Sequence, residues 1–577
     1  MRRSTTGTVA ALSVLALAAG AAGCDVGGET SRPAGDRVSG PDNRLTVLSR
    51  GPVQAWDPQR ITDRRTAGFA ARTWMRTLTA YPPASSAADQ GRLRGDLAEG
   101  TGRPNADATR WTFSLRPGVT WEDGSRITCA DVQRGVARSF DPEISSSGYA
   151  LTYLDIPKKA DGTSRYPGPH AKGGTSAQET KLLEDAVECT DSSTVVFHLA
   201  EPVGTFDEVV SLPEFAPFKQ AKGGAADDPY RAYSSGPYRL ADGWTESKGG
   251  TWVRNPRWNR RSDPLRRSGP DSIRHREGVD PEEALAEIVD GEDGGRTLAL
   301  DPLPPALVTE ADQAKKAVQT VDTDGQVVDY LAVNATRTPL RSATVRRALA
   351  AATDRAAYAE GTGSGTPTWS LLGRSLPSAH DPVHDHGPSG DVSAAKRLLR
   401  EAKVSGPVKL TLAHRAGDPE ESALRELLPR WKKAGFDVTL EPIEDDDYFA
   451  AMSDRTLAEK YDLVWADWGP DHPSASTVLP PLFDHRVNLS GDSVGRDYGQ
   501  YEDARTTAAM DRAARTRDPE DRAEAWSDID TDLLEDGAYV PLLQSRYTYA
   551  AGSEVTSLVG NPVYGGMPEL GQIGVAR

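Results

Sequence analysis

Trp111-Thr-Phe-Ser-Leu-Arg-Pro-Gly-Val-Thr-Trp-Glu-Asp-Gly124 is the most informative stretch of this 577-residue chain. Its first five residues alternate apolar and polar, the period of a strand with one buried face. Pro117-Gly118 then turns the chain, since proline presets φ and glycine tolerates the left-handed region. Thr128 or Asp131 opens a helix over residues 132–140, because a side-chain oxygen there accepts from an unpaired backbone N–H.

The same punctuation continues outward. Arg44-Leu-Thr-Val-Leu-Ser49 reads as a first strand, stopped by Arg50-Gly51-Pro52, and Thr194-Val-Val-Phe-His-Leu199 as another. Residues 161–177 are rich in Gly, Pro and Ser and read as a surface loop. In the middle of the chain Val327-Val-Asp-Tyr-Leu-Ala-Val333 is an apolar strand. A helix follows with Val345, Leu349, Ala352 and Ala356 on one face and Ser342 as N-cap. A second helix carries Ala395, Leu398, Leu399 and Ala402. Val408, Leu410 and Leu412 alternate along a strand. Leu424, Leu427, Leu428 and Trp431 then recur at helical spacing, with Pro429 expected to kink the helix and Gly435 to end it. Phe436, Val438 and Leu440 alternate again, and residues 461–465 form a further strand. Helix and strand in alternation favour an α/β fold.

Size sets the organisation. Cores stop growing beyond roughly 250–300 residues, so this chain divides into two large lobes or three domains. A hydrophobic fraction of 37% and a mean hydropathy of -0.53 describe a soluble globular body. The formal charge of -17 argues against a nucleic-acid partner, which needs a basic face, and against polybasic adhesion to anionic lipid.

Arg2 and Arg3 precede an apolar run over residues 9–22, too short to span a bilayer, which ends in Ala21-Ala22-Gly23-Cys24. This reads as a secretory signal, and it resembles a bacterial lipoprotein lipobox with Ala21 where leucine is usual. The resemblance implies cleavage before Cys24 and lipidation of its thiol, which anchors the protein on the extracytoplasmic face of the cell membrane. Residues 25–42 are Gly, Ser, Pro and charge, a tether. Two cysteines remain, Cys129 and Cys189. In an oxidising compartment they suggest a disulfide enclosing about 60 residues, worth ~4 kcal/mol by loop entropy; the alternative is two buried thiols.

Several segments, in order, resemble the family 5 extracellular solute-binding proteins of ABC importers, of the oligopeptide and dipeptide-binding type. They are Trp56-Asp57-Pro58, Asp96-Leu-Ala-Glu99, the 111–124 block with Thr128-Cys-Ala-Asp-Val132, and Ser235-Gly-Pro-Tyr238 with Val253-Arg-Asn-Pro256. Asn334, Pro339, Val345-Arg-Arg-Ala-Leu349 and Thr353-Asp-Arg355 follow. Ala394-Ala-Lys-Arg-Leu-Leu399, Tyr461-Asp-Leu463 through Trp468, and Tyr539-Val-Pro-Leu542 complete the series. The resemblance covers roughly residues 44–560. It implies an α/β, two-lobed periplasmic-binding-protein-like fold with an extra inserted subdomain, the lobes joined by two crossover strands near residues 318–328 and 532–542. The expected division is signal peptide 1–23, lipid-anchored tether 24–42, a discontinuous first lobe 43–80 with 190–320 and 540–577, inserted subdomain 81–189 and second lobe 321–539.

The implied function is capture of a short peptide between the lobes by a monomeric, non-enzymatic lipoprotein that delivers it to membrane permeases. The ATPase is a separate chain, and no cofactor is called for. In peptide-binding relatives an Asp just after a Gly-Trp-like stretch holds the ligand's α-amino group, which maps onto Asp471 by its spacing from Trp468. Asp467 is the alternative carboxylate, and Trp468 is either a wall of the pocket or a core residue. Arg50, Gly51 and Trp56 follow the first strand and are expected near the cleft.

Other constellations are weaker. His380, His384 and His386 lie close together, a spacing able to hold nickel, but among Pro382, Gly387 and Pro388 they read as a solvated loop. Asp445-Asp446-Asp447 has no calcium-loop signature around it. Gly361-Thr-Gly-Ser-Gly365 has neither dinucleotide-binding nor nucleophile spacing. Another solute, such as an oligosaccharide or a metal chelate, is the alternative ligand. A secreted hydrolase with Asp467 and Asp471 as paired acids is the competing class.

Overall fold

The strand read at 111–115 is Arg110–Ser114 in the computed structural model, with Trp111 and Phe113 buried and the residues between them facing out. That model describes residues 43–576 except 146–147, 221–227, 268, 382–385, 418 and 445–447. Cys24, the signal and tether segments, His384 and Asp445–Asp447 therefore lie outside the described residues. The choice between Thr128 and Asp131 resolves into both. Helix Cys129–Arg138 starts on a capping box in which Asp131 Oδ2 accepts from the Thr128 backbone N–H at 2.9 Å.

One sheet of eleven strands runs through the described body. At one end, Arg44–Ser49 pairs parallel with Ser272–Glu277 and Thr297–Ala299. At the other, Val408–Arg415 pairs parallel with Phe436–Ile443 and Leu463–Trp468. Between them two long strands, Val318–Val333 and Tyr539–Gly552, pair antiparallel along most of their length. These are the two crossover strands. Their register slips between Asp324 and Val328, where Gly325 approaches so closely that a Cβ would meet Ser545 Oγ at 2.1 Å.

Four cores hang on this frame, one of them packing Leu48, Leu285, Ile288, Leu303 and Val318 together. The first lobe packs Leu45, Val47, Trp56, Phe69, Trp74, Trp252 and Tyr549. The subdomain has its own four-stranded sheet, and its core runs from Leu78 to Phe215. It reaches past residue 189 because strand Thr194–His198 lies inside that sheet, between Arg110–Ser114 and Val187–Asp191. Cys129 and Cys189 are joined by a disulfide that ties its helix to its sheet edge, with Cα atoms 5.7 Å apart. The second lobe packs Val328–Val333 and Tyr539–Leu543 against helices that include Ala343–Ala352 and Glu420–Ala434. The second crossing thus falls after Leu543, later than the expected 532–542. The reason is that helix Pro519–Asp536 occupies the earlier residues and residues 539–543 belong to the second-lobe core. Helix Glu420–Ala434 continues through Pro429 and ends at Gly435, whose φ of 107° needs glycine.

Buried charge fixes the junction of the first lobe with the subdomain. Asp96 Oδ1 accepts from Arg76 Nε at 2.7 Å and Asp96 Oδ2 from Arg266 Nη2 at 2.7 Å, all three side chains being buried. Asp263 balances the second guanidinium, and the two arginines hold its carboxyl well below the usual range despite its burial.

Candidate functional site

The strand expected at 461–465 extends to Trp468, so Asp467 and Trp468 are sheet residues and not loop residues. Asp467 stands directly opposite Asp329 on the first crossover strand, and Trp468 opposite Val328. Residues directly opposite on antiparallel strands share a face, so two carboxylates are set side by side. Burial raises the pKa of Asp467, and Glu420 adds to the rise while Arg415 and Arg64 oppose it. Burial pushes Asp329 up to about 7, with the Asp467 charge reinforcing the shift, although the Tyr358 hydroxyl donates to Asp329 Oδ2 at 2.9 Å.

Beyond Trp468 the chain turns through Gly469 and Pro470 to Asp471. Gly469 lets the Arg64 guanidinium lie close against the turn: a Cβ there would stand 2.7 Å from Arg64 Nη1 and displace it. Arg64 opens helix Arg64–Thr73, whose N-cap Asp63 accepts from the Thr66 N–H at 2.8 Å. Burial lowers the Arg64 pKa, and the nearby Asp471 charge is the largest influence restoring it. Asp471 is itself exposed, and the Tyr149 hydroxyl donates to its Oδ2. Trp468 is half-buried. Its indole N–H donates to the Thr477 carbonyl at 2.8 Å, and the Arg496 guanidinium sits 4.7 Å from its ring centre.

These groups enclose a cavity of about 530 Å³ lined by Asp63, Arg64, Tyr149, Glu214, Asp471 and Arg496. Its walls come from the first lobe, the subdomain and the second lobe. The volume suits a small solute, and the convergent charges of both signs suit a zwitterionic one.

Of the six residues singled out in the sequence as contacts, only Asp471 lines this cavity, with Trp468 and Asp467 beside it. Trp56 is a correction. It is fully buried in the first-lobe core, 5.0 Å from both Trp244 and Trp252, because the strand end it follows is covered by those rings. Arg50 is exposed and does not line this cavity; it pairs with Asp280 at 3.1 Å, and its N–H donates to Asp301. Gly51 lies beside Arg65 Nη2 and lines no described cavity. Arg64, Tyr149 and Arg496 carried no sequence signal, being single residues at a helix start, in a short helix and in a loop. His380 bonds to Asp530 at 2.8 Å and to the Asp381 carbonyl, and no cluster of three metal-ligating side chains occurs among the described residues. No helix among them is long and apolar enough to cross a membrane.

Comparison with known proteins gives the lineage. The bacterial extracellular solute-binding proteins, family 5 (middle), match residues 92–489. The chain is 23% identical over 499 residues to a probable D,D-dipeptide-binding periplasmic protein of Escherichia coli, covering 82% of this chain and 83% of that protein. It is 24% identical over 509 residues to a probable deoxycholate-binding periplasmic protein of the same organism, covering 84% and 85%. Among solved structures, clavulanic acid biosynthesis oligopeptide binding protein 2 superposes with a TM-score of 0.79 at 25% identity, over 93% of this chain and 96% of that one.

Proposed function

This chain belongs to the family 5 bacterial extracellular solute-binding proteins, and from that premise we propose that it captures short peptides between its lobes for an ABC importer. It acts as a monomer anchored through Cys24, with the ATPase on another chain. Its own chemistry is binding.

The observation that carries the peptide reading is the exposed Asp471 carboxylate on the wall of the 530 Å³ cavity, opposite Arg64. A peptide has an ammonium end whose desolvation must be offset, and a carboxylate supplies a charge-assisted bond roughly twice as strong as a neutral one. Arg64 and Arg496 offer the complementary charge to a carboxylate. The names of the dipeptide- and oligopeptide-binding relatives support the same class of ligand.

Closure follows from where these residues sit. Asp471 and Arg496 belong to the second lobe, Asp63 and Arg64 to the first, and Tyr149 to the subdomain. A ligand touching all three favours the closed form only by its differential affinity for it, and a bridging peptide has that affinity by construction. Exclusion of water on closing strengthens each polar contact.

Calorimetry tests the reading. Tri-alanine should bind, and N-acetyl-tri-alanine, lacking the ammonium group, should bind at least about tenfold more weakly. Equal affinity for the two would remove Asp471 from the role. Intact-mass analysis of membrane-extracted protein should show a mature chain starting at a diacylated or triacylated Cys24.

A further inference from the structure

A second cavity, of about 450 Å³, lies between the subdomain and the second lobe and shares no lining residue with the first. His472 stands between the two cavities. It is buried, with its ring 6.4 Å from Tyr149 and its Nδ1 3.4 Å from Glu208 Oε2. Residues 91–94 and 207–208 form one wall of the second cavity, and residues 473–475 and 519–526 the other.

The second cavity has more hydrogen-bond donors than acceptors to meet them. Arg92, Arg94 and Arg522 line it, against Asp207 and Glu208. Arg522 is already engaged, because its Nη2 donates to Glu208 Oε1 at 3.0 Å and its Nη1 to nearby carbonyls. Burial and the neighbouring Glu208 push Asp207 up to about 7, so its charge is reduced near neutral pH. Arg92 and Arg94 are exposed and form no ion pair among the described residues, in a chain whose net charge is -17. Two further lining residues carry buried donors without a partner, the Trp526 indole Nε1 and the Ser378 hydroxyl, against one buried acceptor, Glu208 Oε2, which lies 3.4 Å from His472 Nδ1.

We propose that this second cavity is a subsite for a carboxylate group of the captured solute, held by Arg92 and Arg94. An ionised carboxylate only accepts, offers about four lone-pair positions and matches the planar guanidinium fork. The cavity is large enough for such a group together with the part of the solute that bears it. The inference rests on capture of a solute between the lobes, and not on that solute being a peptide.

The test titrates succinate, a dicarboxylate with no amine, into the purified full chain by calorimetry. Wild type and the Arg92→Gln/Arg94→Gln double variant are compared. Both arginines are exposed, so the double variant should keep the wild-type melting temperature. Succinate affinity should fall at least about tenfold in the double variant. Wild-type affinity retained by the double variant, or no succinate binding to wild type tighter than about 10 mM, overturns the subsite. Failure of tri-alanine to bind while succinate binding is lost with the two arginines would sink the peptide reading and leave this one standing.

Discussion

Trp56-Asp57-Pro58 and Trp468-Gly469-Pro470-Asp471 are local equivalents: each sets a tryptophan, a proline and an aspartate at or after the end of a strand. Their fates are opposite. Trp56 is sealed beneath Trp74, Trp244 and Trp252, and Asp57 is buried against Arg138, whose guanidinium stacks 3.8 Å from the Phe218 ring centre. Trp468 keeps one face toward Arg496, and Asp471 stays exposed on the cavity wall. The first loop is covered by the aromatic core of its own lobe. The second opens onto the gap between lobes. Identical side-chain chemistry becomes structural or ligand-facing according to what packs over it.

Substitutions separate the two roles. The largest effects belong to the first loop. Trp56→Ala should cost about 3–5 kcal/mol by leaving a cavity among the rings. Asp57→Ala should cost a similar ~3–5 kcal/mol, because it leaves the buried Arg138 unpaired. Both are measured by denaturant unfolding, and a loss under about 1 kcal/mol in either would erase the contrast. Next comes Asp471→Ala. It should leave stability within about 0.5 kcal/mol and weaken tri-alanine binding by roughly 1.5–3 kcal/mol, some 10- to 150-fold. A melting-temperature drop matching that of Asp57→Ala would make the second loop structural after all. Trp468→Phe should be milder, about 1 kcal/mol of stability for the lost bond to the Thr477 carbonyl.

A pH-dependent substitution sharpens the electrostatics beside the second loop. The folded-state pKa of Asp329 is raised to about 7 from 3.8, chiefly by burial and then by Asp467. A raised carboxyl pKa favours the fold while the group is protonated, so this contribution is present below about pH 4 and is lost as pH rises toward 7. Asp329→Asn should therefore raise the melting temperature above pH 7 and leave it unchanged near pH 4. A shift of equal size at both pH values would show that Asp329 acts by packing and not by charge.

Much of the architecture is legible in the residues, because periodicity is a local property. Alternation at Trp111 and Phe113, and helical spacing at Leu424, Leu427 and Trp431, each correspond to observed burial. The strand expected to end at Trp465 runs three residues further at its cleft end, since Asp467 interrupts the apolar pattern while its backbone still pairs with Asp329. The cavity is far less legible. Tyr149 and Asp471 are 322 positions apart, and no local pattern marks either as the partner of the other. Trp56 misleads for the complementary reason: its motif places it after a strand, but burial depends on Trp244 and Trp252, which arrive from nearly two hundred residues further on.

By itself the sequence determined the α/β alternation, the pairing candidates Cys129 and Cys189, the ordered motifs of a solute-binding family and Asp471 as a carboxylate worth testing. These depend on hydrophobic period, on residue chemistry and on order along the chain. Only the tertiary structure decided which of two similar tryptophan–aspartate loops is buried, brought Arg64, Tyr149 and Arg496 around Asp471, and set Arg92 and Arg94 facing the second lobe. Those outcomes arise from contacts between separate cores around two crossover strands, and burial at such junctions is a property of the assembled surface.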